Sequence, residues 1–92
     1  MKRVILVVED DRIEVLKFKR AIDFLDLKHQ FIFAANGEEA ISVLKNDTEM
    51  LPDIVLLDLN MPRFHGFEFL SFMRSEDSLR YIPTIIMTTS EN

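Results

Sequence analysis

Acidic side chains stand at two places where an apolar run stops. Val4–Val8 runs directly into Glu9, Asp10 and Asp11, and Ile54–Leu57 runs into Asp58. Another apolar run, Thr84–Met87, gives way to three hydroxyls, Thr88, Thr89 and Ser90. Carboxylates crowded into one cleft repel each other unless a cation joins them. The chain has no cysteine, so the cation they suit is a hard, oxygen-seeking one: Mg²⁺, Mn²⁺ or Ca²⁺. Mg²⁺ usually takes one or two carboxylates together with waters and a phosphate. A carboxylate beside it can attack phosphorus and become an aspartyl phosphate, and the Thr88 hydroxyl is of a type that hydrogen-bonds a phosphoryl oxygen. A single Asp ending a strand is more often a turn or cap residue. What favours a cation–phosphate site is the set: three acids, a terminal Asp58 and a terminal Thr88.

Such a set acts together only if the intervening elements bring the run ends to one edge. Four short apolar runs, Val4–Val8, Gln30–Ala34, Ile54–Leu57 and Thr84–Met87, read as strands. The first, third and fourth lack alternation, the pattern of strands buried on both faces of a parallel sheet. Between them the spacing predicts helices. From Arg12 to Asp26 the main stripe is Val15, Phe18, Ile22 and Leu25, and a second apolar set, Ile13, Leu16, Phe24 and Leu27, asks for a second buried contact. A helix opening at Asn36 has Glu39 as its capping-box partner, with Ala40, Ile41 and Leu44 on its apolar face. A third, from about Gly66 to Arg74, presents Phe67, Leu70 and Met73 on one face, flanked by Phe69 and Phe72, and the three phenylalanines read as core. Pro52, Pro62 and Pro83 fall between elements. Alternating strands and helices imply right-handed crossovers and a parallel sheet. Ligands of such sheets bind at the carboxyl ends of the strands. If the first and third strands are neighbours, Asp10 and Asp58 meet there.

Composition narrows the function classes. Ninety-two residues, 48% of them apolar, are one domain with a modest core. Sixteen acidic residues against 11 basic give a net charge of −5, which opposes direct contact with nucleic acid and with anionic lipid. No apolar run approaches the length of a membrane span. The basic start, Met1-Lys2-Arg3, is followed by only five apolar residues and then three acids, which is not a signal peptide; the expected location is cytoplasmic.

Taken together, Val7-Val8-Glu9-Asp10-Asp11, Pro52-Asp53-Ile54-Val55-Leu56-Leu57-Asp58-Leu59-Asn60-Met61-Pro62 with Gly66 beyond, and Ile82-Pro83-Thr84-Ile85-Ile86-Met87-Thr88 resemble the receiver domain of two-component response regulators. Asn36-Gly37-Glu38-Glu39-Ala40 is also typical of its second helix, and the resemblance spans residues 1–92. It implies an α/β fold of the flavodoxin-like (CheY-like) kind, a doubly wound parallel sheet with strand order 2-1-3-4 in the part present. It implies that Asp58 is phosphorylated by a sensor histidine kinase or a phosphotransfer protein, with Mg²⁺ as cofactor and Mn²⁺ as its substitute. Asp10 matches the principal acidic metal ligand, Glu9 its neighbour acting through metal-bound water, and Asn60 the position whose backbone carbonyl binds the metal. Thr88 matches the switch hydroxyl, Thr89 the small site beside it, and Ser90 a position that tunes dephosphorylation. Pro62 and Gly66 match the residues shaping the loop after Asp58, and Asp11 is assigned to capping the first helix. The proportions of the first two blocks resemble stand-alone receivers paired with phytochrome-type kinases.

The chain also departs from the family. Four strands and three helices are supplied where the family has five of each, so the expectation is a receiver lacking the final helix–strand–helix. None of Lys2, Lys17, Lys19, Lys28 and Lys45 matches the family's active-site lysine. The fourth strand is then an open edge, and one sheet face lacks a covering helix. A longer parent receiver, a homodimer over the exposed face, or another protein would each account for this. Rival functions fare less well. A haloacid-dehalogenase-type phosphatase wants a second Asp where Asn60 stands, and a flavin-binding module wants a hydroxyl-rich phosphate loop where Glu9-Asp10-Asp11 stands. The alternative retained is a phosphorylation-incompetent receiver acting only in interaction or dimerisation. A turnover enzyme is not expected. His65, His29 and Arg63 read as surface residues, and Met61, Met73 and Met87 as packing.

Overall fold

The computed structural model describes residues 2–46, 51–58 and 66–87. Strand β1 is Val4–Val8, helix α1 Arg12–Phe24, β2 Gln30–Ala34, α2 Gly37–Asn46, β3 Ile54–Asp58, α3 Gly66–Ser75 and β4 Thr84–Met87. The four strands form one parallel sheet in the order β2-β1-β3-β4, as expected. The parallel sheet follows from the sequence: short β-branched runs too apolar for one-sided exposure must be covered on both faces, and helical crossovers cover them; the strand order is the one the resemblance to receiver domains implies.

Side-chain alternation divides the sheet into two faces. Leu6, Val8, Ala34, Val55 and Leu57 join Ala40 and Leu44 of α2 and Phe69 and Met73 of α3 in the main core. On the opposite face α1 lies over β2, its Phe18 ring edge-on to Phe33 at 6.2 Å. One helix is about 10 Å wide and strands are about 4.8 Å apart, so α1 cannot cover four strands. None of its residues is buried.

Several expectations change. The fourth strand was expected to be buried on both sides, yet Ile85 and Ile86 are 49% and 42% exposed, because no described element packs beyond β4. Leu25 was placed on the α1 stripe, but the helix ends at Phe24 and Leu25 is its cap, exposed to solvent. Of the three phenylalanines read as core, Phe69 is buried and Phe67 is 81% exposed. The second apolar set of α1, Ile13, Leu16, Phe24 and Leu27, faces solvent.

Local chemistry sets the helix starts. Asp11 accepts hydrogen bonds from the Ile13 and Glu14 N–H groups at 2.8 and 3.4 Å, capping α1 as expected. Asn36 Oδ1 accepts from Glu39 N–H at 2.8 Å, while Glu39 reaches back to Ala35 N–H at 2.9 Å, one residue earlier than the usual capping box. At the other end of the sheet, His29 is half-buried rather than a plain surface residue, its Nδ1 accepting from Arg3 N–H at 3.0 Å. Asp53 accepts from Val4 N–H at 2.7 Å. Both bonds anchor the start of β1.

Candidate metal centre

The register places the acids. Val8 pairs with Leu57, so the next residues, Glu9 and Asp58, lie side by side at the carboxyl edge of the two central strands. A bond from Glu9 N–H to Ala34 O at 2.9 Å holds this level of β1 against β2 as well. Glu9 and Asp58 are buried, at 6% and 3% exposure, and Asp10 is exposed. Each of the three offers a carboxylate oxygen, and these oxygens all lie within 4.8 Å of one another. Asp11 stays outside this group, committed to the helix cap.

Two carboxylates buried together need either a proton or a cation between them. Burial is the main cause that pushes Glu9 up from 4.5 to about 7. The Asp11 N–H opposes this by donating to Glu9 Oε2 at 3.0 Å, while a hydrogen bond with Asp58 and the charges of Asp58 and Asp10 add to the rise. A divalent ion would take the place of the proton on Glu9. The donor chemistry fits: three hard oxygens converge within a span a single ion can bridge, with one of the three open to water.

A cavity of about 350 Å³ opens beside the cluster, bordered by Glu9 and Asp10, by Arg12 and Lys19 of α1, and by Phe33. The sequence reading did not single out Arg12 and Lys19. Their seven-residue spacing, which puts both on one helical face, is the signal that would have found them. Gly66 is the first residue of α3. Asn60, Pro62, Thr88 and Thr89, with His65, Arg63 and Ser90, lie outside the described residues.

Comparison with known proteins decides the family. The family model for the response regulator receiver domain matches residues 5–92. The chain belongs to the response regulator receiver domain family. It is 31% identical to response regulator Rcp1 of Synechocystis sp. over 98% of its own length, and it spans 64% of the length of that relative. The crystal structure of the Mn²⁺-bound form of Rcp1 superposes with a TM-score of 0.82 at 30% identity, covering 98% of this chain and 68% of the other. The phosphorylated cyanobacterial phytochrome response regulator RcpA superposes with the same score at 29% identity, covering all of this chain and 69% of the other. Receiver domains bind divalent metal and work with histidine kinases or phosphotransfer proteins. In this receiver, no helix among the described residues is long and apolar enough to cross a membrane.

Proposed function

We propose that this receiver accepts a phosphoryl group on Asp58, from a sensor histidine kinase or a phosphotransfer protein, with Mg²⁺ as cofactor. The observation that carries this reading is the placement of Asp58 at the end of a central strand, buried and within 4.8 Å of the Glu9 and Asp10 oxygens. Glu9, Asp10 and Asp58 would hold the metal, joined by the Asn60 carbonyl. When bound, the ion supplies charge neutralisation for the carboxylates and the incoming phosphoryl oxygens. Asp58 attacks phosphorus: an O–P bond forms, the P–N bond of the phosphohistidine breaks, and its electron pair leaves with the imidazole. Positioning and charge account for most of the acceleration in such transfers, and the rigid strand end provides the positioning.

The product adds a charge of about −1.5 to −2 at the sheet edge. In this reading the Thr88 hydroxyl and the loops around it move toward that charge and shift a two-state equilibrium, with Thr89 leaving room and Pro62 and Gly66 shaping the loop. The protein is then a cytoplasmic signalling domain and not a turnover enzyme, and its partners are proteins, since a net charge of −5 opposes nucleic acid. The names of the phytochrome response regulators it is similar to support a phytochrome-type kinase as the donor. Incubation with acetyl phosphate and Mg²⁺, read by intact mass, tests the reading. Labelling of the wild type and its loss in Asp58→Asn are expected. Undiminished labelling of Asp58→Asn excludes Asp58 as the acceptor, and an unlabelled wild type favours the phosphorylation-incompetent alternative.

A further inference from the structure

We propose that Arg12 is a positioning residue that binds the phosphoryl donor at the mouth of the metal centre. This rests on the reading of Asp58 as phosphoacceptor. Arg12 is the first residue of α1 and stands two residues past Asp10, with the capping Asp11 between them. Arg12 lines the same cavity as Glu9, Asp10 and Glu39.

The other cation bordering that cavity is already engaged: Lys19 Nζ lies 5.1 Å from the centre of the Phe33 ring. Lys17, on the same helix, pairs with Glu14 at 3.5 Å. The Arg12 guanidinium, by contrast, forms no hydrogen bond or ion pair among the described residues. A guanidinium that stands beside carboxylates without pairing with them is available for an anion arriving from solvent.

Charge explains why one is wanted. Three ionised carboxylates and one divalent ion leave the cluster with a single negative charge, which repels a phosphoryl dianion. A guanidinium beside Glu9 and Asp10 offsets that repulsion, and its planar fork matches two phosphoryl oxygens. Because Arg12 is exposed, its contribution is to capture and orientation and not to the bond-making step.

Labelling rates measured with acetyl phosphate and Mg²⁺ on the 92-residue chain test this. Arg12→Ala is expected to lower the second-order rate constant by about threefold to tenfold, the range of one exposed to partly desolvated charge contact. It is also expected to flatten the fall of that rate with added salt. Arg12→Lys should recover part of the loss, since it restores the charge without the fork. The penalty should shrink with phosphoramidate, which carries less negative charge at neutral pH. Arg20→Ala, which removes an α1 cation that does not border the cavity, is the control and should label as wild type does. A rate and salt slope unchanged in Arg12→Ala, or an equal loss in Arg20→Ala, overturns the role of Arg12 while leaving Asp58 as acceptor intact. A wild-type chain that takes no label overturns both.

Discussion

Glu9 and Asp58 are two carboxylates shut away from water at adjacent strand ends, and the metal-free protein is expected to answer to pH through Glu9. Burial first, then the Asp58 hydrogen bond and the Asp58 and Asp10 charges, raise Glu9 from 4.5 to about 7. Between those two values the folded state holds a proton that the unfolded chain has released. Stability therefore falls as pH rises from about 4.5 to about 7, and it is recovered on acidification through that window. The size of the effect is of order 1–3 kcal/mol, since one pKa unit corresponds to about 1.4 kcal/mol. Urea unfolding in the presence of a chelator at closely spaced pH values measures it. Glu9→Gln should flatten the slope across that window, and saturating Mg²⁺ should do the same by replacing the proton. A slope unchanged in Glu9→Gln would place the pH response in other groups.

At the scale of the element, α1 is a helix whose start, stop and inward face obey different rules. Its start was legible, because Asp11 before a helical stripe is a cap by residue type. Its end was not, because the stripe through Leu25 continues past the point where the backbone turns. Asp26 takes a left-handed conformation with φ of 54°. Its N–H bonds Asp23 O at 3.2 Å, and Leu27 N–H bonds Ile22 O at 3.1 Å, the two bonds of a Schellman stop. Nothing in Leu25-Asp26-Leu27 carries the glycine that usually marks such a stop. Asp26→Gly is therefore expected to stabilise the protein by about 0.5–1 kcal/mol, because glycine adopts this conformation without a Cβ penalty. The exposed ion pair it gives up, Asp26 with Lys28 at 2.8 Å, is worth less than that. Asp26→Ala loses the same ion pair and keeps the strain, so it should destabilise. Denaturant midpoints of the two variants should move in opposite directions, and a common direction would remove the backbone conformation as the cause.

For the whole molecule, the gathering of Glu9, Asp10 and Asp58 at one sheet edge was legible because strand ends of a parallel α/β sheet lie on one edge, and the strand order that makes them neighbours was implied by the resemblance to receiver domains. The depth of burial at the edges was not, since it depends on what packs alongside rather than on the pattern within a run. Thr84–Met87 is as apolar as a central strand, yet Ile85 and Ile86 are half-exposed. On α1, Ile13, Leu16 and Phe24 recur at 3- and 8-residue intervals and face solvent at 64%, 50% and 88%. Exposed apolar side chains of this kind rarely stay bare on a monomer, and among the described residues β4 has no strand beyond it to pair its outer backbone groups. The 92-residue chain is therefore expected to self-associate. Sedimentation velocity should show the mean mass rising with protein concentration through the micromolar range. Leu16→Glu combined with Phe24→Glu should lower the association, and since both side chains are exposed the unfolding free energy should change by no more than about 1 kcal/mol. If the double variant associates as wild type does while Ile86→Lys abolishes association, the contact belongs to the β4 edge and not to α1. A chain that stays monomeric at every concentration shows that neither face seeks a second copy.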